Sequence, residues 1–303
     1  MTMPADSRPA VVAPEPPAKH DVGLGTAYER WAVYRLLREW AGRLPAESAL
    51  EGPIDGMAGI PGLHLMPLAE RGTRVTVLVP DESAAAVVAG VYERVGLRDR
   101  LDVRASRDWP RGELFDLVLT YDALPFVEDW QGYLASAAAV ARRSLLVSVT
   151  HPWSYGTFAR RILRLVQPGE RPFELFDHPS TRERVLSRAL SRHGEVVLDA
   201  FVDCPWWPDL FVPTGQTLLS GTLGRLPFGR RFLRPVGGAP DPAEAFLYGP
   251  ARFPLLGGEG FADELSGALR RHPTFDRSPR PVAAFFAHHR IRAVALRSAG
   301  SAG

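Results

Sequence analysis

Four glycines, Gly52, Gly56, Gly59 and Gly62, punctuate SALEGPIDGMAGIPGLH (residues 48–64), where a short apolar run breaks into a turn. Glycine lets a backbone bend tightly and approach a phosphate or cofactor with no side chain between them. The spacing is not the G-x-G-x-x-G of a dinucleotide site, and no P-loop or G-x-S-x-G nucleophile elbow occurs elsewhere. Pro53 and Pro61 fix φ and remove donors, which suits a preformed cradle and a filled-in loop equally. Further along, Tyr121 and Asp122 directly follow the apolar run FDLVLT, and His151, Trp153 and Tyr155 follow SLLVSVT. A histidine at such a strand end can serve as general base toward a hydroxyl, because its ordinary pKa lies near neutrality. Local hydrogen bonding is the plainer reading, for His151 as for His178. His288 and His289 are adjacent on the last strand-like run, and alternate strand faces would keep them from sharing a metal.

Other segments are less specific. The aromatic stretch CPWWPDLF offers Trp206 and Trp207 as an apolar substrate wall or as internal packing. Arg225, Arg230, Arg231 and Arg234 read as a solvated basic face, with an anionic membrane surface or an acidic substrate as the weaker alternative. One cysteine, Cys204, excludes an internal disulfide framework and a cysteine-based zinc site. A formal charge of +2 calls for no nucleic-acid partner. No apolar run approaches the ~20 residues of a membrane-spanning helix, and no signal-peptide pattern opens the chain, so a cytoplasmic protein is expected.

These residues need elements to position them. Residues 1–22, rich in Pro and Ala, read as a disordered leader. A helix follows, with Thr26 and Glu29 spaced as a capping box and Val33, Leu36, Leu37 and Trp40 at helical period. Strands SALEG, RVTVLVP, LDVRA, FDLVLT and SLLVSVT then alternate with helices, the pattern of a parallel sheet covered on both faces. Ser180 and Glu183 form a second capping-box spacing, EVVLDAFVD reads as a sixth strand, and FFAHHRIRAVAL (285–296) as a seventh. The Pro- and Gly-rich segment between the last two strands is long for a loop in a compact domain and reads as a lid or insertion.

FDLVLTYDALPFVEDWQGYLASAAAVARRSLLVSVTHP, the preceding YERWAVYRLLREW and the closing FAHHRIRAVAL together resemble the class I S-adenosylmethionine-dependent methyltransferases, over residues 26–204 and 280–297. The resemblance implies a Rossmann-like, doubly wound, seven-stranded, mostly parallel sheet with an antiparallel last strand. It divides the chain into a leader (1–22), one α/β domain (23–204 and 283–297) and a lid insertion (205–282). It implies S-adenosylmethionine as cofactor, contacted by Glu51, Gly52, Gly56, Met57, Gly59, Asp81 and Ser106. It places the catalytic candidates His151, Asp122 and Tyr121 beside a small, fairly apolar substrate lined by Trp153, Tyr155, Trp206 and Trp207. The family's acidic residue with glycines two, four and six positions on is here Glu51 with Pro53, Asp55 and Met57, so the loop is remodelled. The second strand ends at Val79 in place of a ribose-binding acid, leaving Asp81 and Glu82 nearest, and Ser106 stands near the adenine position. The competing expectation is a non-catalytic member kept as a scaffold or partner-binding module.

Overall fold

The computed structural model describes residues 24–53, 61–159, 177–206 and 273–297. Its strands are β1 (Ser48–Glu51), β2 (Arg74–Val79), β3 (Leu101–Ala105), β4 (Phe115–Tyr121), β5 (Ala141–Thr150), β6 (Gly194–Val202) and β7 (His289–Leu296). They form one sheet in the order β3-β2-β1-β4-β5-β7-β6. β3, β2, β1, β4 and β5 pair in parallel, whereas β7 runs antiparallel to both β5 and β6. The expected Rossmann-like sheet with an antiparallel last strand is therefore what the chain forms.

Burial explains the strand sequences. All seven residues of β4 and five of the six in β2 are buried, because helices cover both faces of the sheet. Ala49, Val75, Val77, Leu117 and Leu119 face one core with α1 (Leu24–Trp40), α2 (Met66–Ala69) and α3 (Glu82–Arg94). Leu50, Leu78 and Val118, one position along, face the other core with α4 (Trp130–Val140) and α5 (Glu183–Ser191). Among the described residues no helix is long and apolar enough to cross a membrane.

Several local expectations are corrected. Neither capping box forms. α1 already runs at Leu24, so Thr26 lies inside it, and Glu29 accepts a bond from Tyr121 92 residues away. Ser180 sits in a 3-10 turn and engages the Nδ1 of His178 at 2.8 Å, while Glu183 pairs with Arg290 and Arg292 on β7. The last strand begins at His289 rather than 285, because Pro279 and Pro281 set up a helix, α6 (Arg280–Phe286), that takes Phe285 and Phe286. Beyond β6 the two ends of the insertion meet: Pro205 bridges Thr274, and the amide of Phe275 donates to the carbonyl of Cys204 at 2.8 Å. The segments between these ends, including Trp207, lie outside the described residues.

Candidate functional site

Ligands of open α/β sheets bind beyond the carboxyl ends of the strands, where neighbouring strands send their connections to opposite faces. Here that point lies between β1 and β4. Gly52, just past β1, donates its amide to Leu119 at 3.2 Å. The registers Tyr121↔Ser148, Thr150↔His289 and Val202↔His289 bring β4, β5, β6 and the start of β7 to the same edge. Tyr121, Asp122, Asp203 and His289 consequently converge there, and α1 contributes Glu29 from above.

The contacts are dense and buried. Asp122, fully buried, adopts a left-handed backbone with φ 45°. Its Oδ1 accepts from Ser148 Oγ at 3.0 Å, and its Oδ2 lies 3.0 Å from Nε2 of His289. Asp203 is also left-handed, φ 57°, and its Oδ2 lies 2.9 Å from Nδ1 of His288 and 3.7 Å from Nδ1 of His289. Two non-glycine residues in this conformation, just past the ends of β4 and β6, mark a site whose surroundings impose the backbone. Burial works against charging His289, but Asp122, Glu29 and Asp203 outweigh it and hold the imidazole well above its usual range. Burial would likewise raise Asp203, and His288 and His289 overcome it to keep the carboxyl low.

Glu29 is half-buried and accepts a 2.8 Å bond from the hydroxyl of Tyr121. Burial pushes its carboxyl up to about 7, with Asp203 and Asp122 adding to the rise and His289 and the Tyr121 bond opposing it. Tyr121 in turn is raised by burial and by the Glu29 charge. Its ring lies tilted by 32° against His64, centroids 3.9 Å apart, and His64 is completely buried with neither ring nitrogen hydrogen-bonded among the described residues. Burial, then Arg30 and His289, lower His64 to about 3, so it is a neutral imidazole. Such perturbed groups gathered at one edge of a sheet are a mark of functional sites.

The other sequence candidates fall elsewhere. His151 is buried, its ring packed edge-on against Phe201 at 4.9 Å, and burial followed by Arg290 lowers it to about 4. Its backbone, not its ring, ties it to the site, through an amide that donates to the carbonyl of His288 at 2.7 Å. Glu51 is buried at the end of β1, where its charge helps raise Tyr92. Gly52 faces the protein's own aromatics: a Cβ there would meet Trp109 at 2.6 Å and the Tyr133 hydroxyl at 2.7 Å. Asp81 caps α3, accepting from the amide of Ala84 at 2.8 Å. The hydroxyl of Ser106 closes its own turn with the amide of Asp108 at 3.1 Å. Gly56, Met57 and Gly59 lie outside the described residues. Trp153 is exposed, whereas Tyr155 stacks on Phe285 at 5.7 Å and donates to the carbonyl of Trp206. Among the described residues no group of His, Cys, Asp and Glu is arranged to hold a metal.

Sequence reasoning thus missed Glu29, His64, Asp203 and the role of the His288–His289 pair. A visible signal was the aspartate closing the sixth strand in VDC, opposite a double histidine opening the seventh.

No family model and no curated protein matches this chain. Similar solved structures include a magnesium protoporphyrin IX methyltransferase from Synechocystis PCC 6803 with bound SAH, 18% identical, covering 56% of this chain and 75% of that one, TM-score 0.45. The plantazolicin methyltransferase BpumL in complex with SAH is 12% identical, covering 90% and 86%, TM-score 0.42. The N-terminal domain of EvdMO1 in the presence of SAH and D-fucose is 20% identical, covering 55% and 76%, TM-score 0.39.

Proposed function

We propose that this chain is an S-adenosylmethionine-dependent methyltransferase acting on a small, fairly apolar molecule. The observation that carries the reading is the cluster of Glu29, His64, Tyr121, Asp122, Asp203 and His289 at the carboxyl ends of β4 and β6, beside the start of β7, in a doubly wound sheet with an antiparallel last strand. Burying this many ionisable groups away from water is costly unless something is gained from holding them there. The donor set fits the methionine and sulfonium end of the cofactor, since carboxylates suit an ammonium and a cationic sulfur, and the unbonded His64 nitrogens suit a polar partner. When bound, the cofactor would supply an electrophilic methyl group. The chain's own part is to orient the acceptor and exclude water.

Glu51 and the 52–59 loop are assigned to the cofactor together with this cluster, and the region beside Tyr155 and Trp206 to the acceptor. Tyr155, with Phe285 and Phe286 around it, supports an apolar acceptor wall beside Trp206. Tyr121 and Asp122 act through the partners they hold, Glu29 and His289, and His151 is given a packing role. A cytoplasmic setting goes with one cysteine in 303 residues.

A second reading, a non-catalytic scaffold, draws on the other side of the site. Gly52 is packed by Trp109 and Tyr133, Asp81 caps a helix, and Ser106 closes a turn. Calorimetry with S-adenosylhomocysteine separates the two. The methyltransferase reading expects micromolar affinity, about −8 kcal/mol. Neither heat nor a thermal shift at millimolar ligand would replace it with the scaffold reading.

A further inference from the structure

The two edges of the sheet are built differently. β3 closes one edge with five residues, and Arg104 on it donates to Asp102 at 2.8 Å and to both carboxylate oxygens of Glu113. Short, charged edge strands resist further pairing. β6 closes the other edge with nine residues, and among the described residues its outer side pairs with nothing. A bulge at Val197 leaves Val196 and Val197 both exposed, at 37% and 44%, while Leu198–Val202 continues in register with β7. Beside the valines lies an open groove of about 580 Å³, walled by Ser191, Gly194, Glu195, Leu296 and Arg297.

The flank around this edge is basic. Arg280, Arg290 and Arg292 share two carboxylates, Asp199 and Glu183. Arg182, Arg184, Arg188, Arg192 and Arg297 are exposed and form no ion pair among the described residues. Glu195 is the one further acid of α5, β6, α6 and β7. His288 and His289 are matched by Asp203 and Asp122, and burial, then Arg192, lowers His193. Adding the exposed Glu128, Asp129 and Asp177, from the segments before α4 and α5, still leaves the arginines in excess.

We propose that the β6 edge docks an acidic, extended segment of a partner protein, which joins the sheet as an eighth strand. The inference goes beyond the methyltransferase reading and does not depend on it. The open main-chain groups of β6 supply the affinity of strand addition, and Val196, Val197 and the groove receive alternate side chains. The arginine excess selects carboxylates between them. A second copy of this chain would bring the same excess against itself. A nucleic acid has no ladder of amides to match a strand, and β6 offers no exposed aromatic ring for a base to stack on.

The probe is a fluorescein-labelled peptide of about nine residues alternating glutamate and valine, added to the full chain. Anisotropy should show saturable binding that weakens several-fold as salt rises from about 0.05 M to about 0.5 M. At about ten times Kd, the outward amides of β6 should exchange hydrogen roughly tenfold more slowly. Replacing the glutamates with lysines, or methylating the peptide's backbone nitrogens, should abolish binding. Arg184→Glu with Arg188→Glu should weaken binding roughly tenfold, at an unchanged Tm because both side chains are exposed. Val197→Glu, at another exposed position, should weaken it too. Binding of the lysine or methylated peptide, protection that falls on β3 and not β6, or no binding at about millimolar peptide would each overturn the proposal. So would an affinity that neither variant changes. A chain that sediments as a dimer, and as a monomer once Val197→Glu is introduced, gives the edge to a second copy instead. Tighter binding of a single-stranded oligonucleotide than of the peptide gives it to nucleic acid. Should a variant fail to fold, the methylated peptide and the exchange pattern decide alone.

Discussion

The carboxyl edge of the sheet has two unlike halves. Over β1, β2 and β3, the side chains that a nucleotide would need are engaged in local structure: Asp81 in a helix cap, Ser106 in its own turn, Gly52 under Trp109 and Tyr133. Over β4, β6 and β7, the polar groups reach across long sequence separations to one another, as in Tyr121–Glu29 and His288–Asp203, 92 and 85 residues apart. The first half is explained by chain geometry alone. The second is not, since a hydrophobic edge would close the sheet at lower electrostatic cost. Selection for chemistry should therefore be sought in the second half.

The strongest way to break this contrast is to remove one member of the second half. His289→Ala leaves the fully buried Asp122 without its cation, and about 3–5 kcal/mol of stability should be lost in urea unfolding. A loss within the range of surface substitutions would mean that the cluster is not electrostatically tight.

Next in size is the acid limb of stability. The folded pKa of His64 is depressed, so its contribution is fully present above the ordinary imidazole value, near pH 6.5, and is lost as pH falls toward about 3. At about pH 4.5 this single group should cost about 2–3 kcal/mol, which His64→Phe should restore in part relative to its own stability at neutrality. His151, lowered to about 4, acts in the same direction. Parallel acid limbs in wild type and His64→Phe would show that the imidazole is not held neutral by burial.

The first half is tested by Gly52→Ala, whose methyl would overlap Trp109 and Tyr133. Overpacking should cost about 1–3 kcal/mol, and Trp109→Leu in the same chain should recover much of it. Unchanged stability with lost S-adenosylhomocysteine binding would give this glycine to the ligand instead. The smallest effect is expected from Asp81→Ala, about 1 kcal/mol of thermal stability from the lost cap. A tenfold loss of ligand affinity, not expected from capping alone, would return Asp81 to the ribose.

The sheet was legible in the sequence because its signals are local. Alternating β-branched runs and helical periods define RVTVLV, FDLVLTY and their neighbours within windows of a few residues. The two glutamates show where such reading ends. Glu29 and Glu183 both satisfy the spacing of a capping box, yet each is drawn to a distant partner, Tyr121 in one case and Arg290 with Arg292 in the other. Spacing specifies a local option, and a buried long-range partner outcompetes it. For the same reason His289 looked like an ordinary strand residue until the register set it opposite Thr150 and Val202.

That register also bears on synthesis. β7 lies between β5 and β6, and among the described residues β6 has no other neighbour in the sheet. A ribosome delivers some ninety residues after β6 before His289–Leu296 can follow. At the ~5–20 residues per second of translation, β5 keeps an open edge and β6 stays unpaired for several seconds or more. During that interval the nascent chain can complete β1 to β5 with the helices on them, but not the acid cluster. Whatever chemistry the site performs begins only when this late strand is laid between two strands already made.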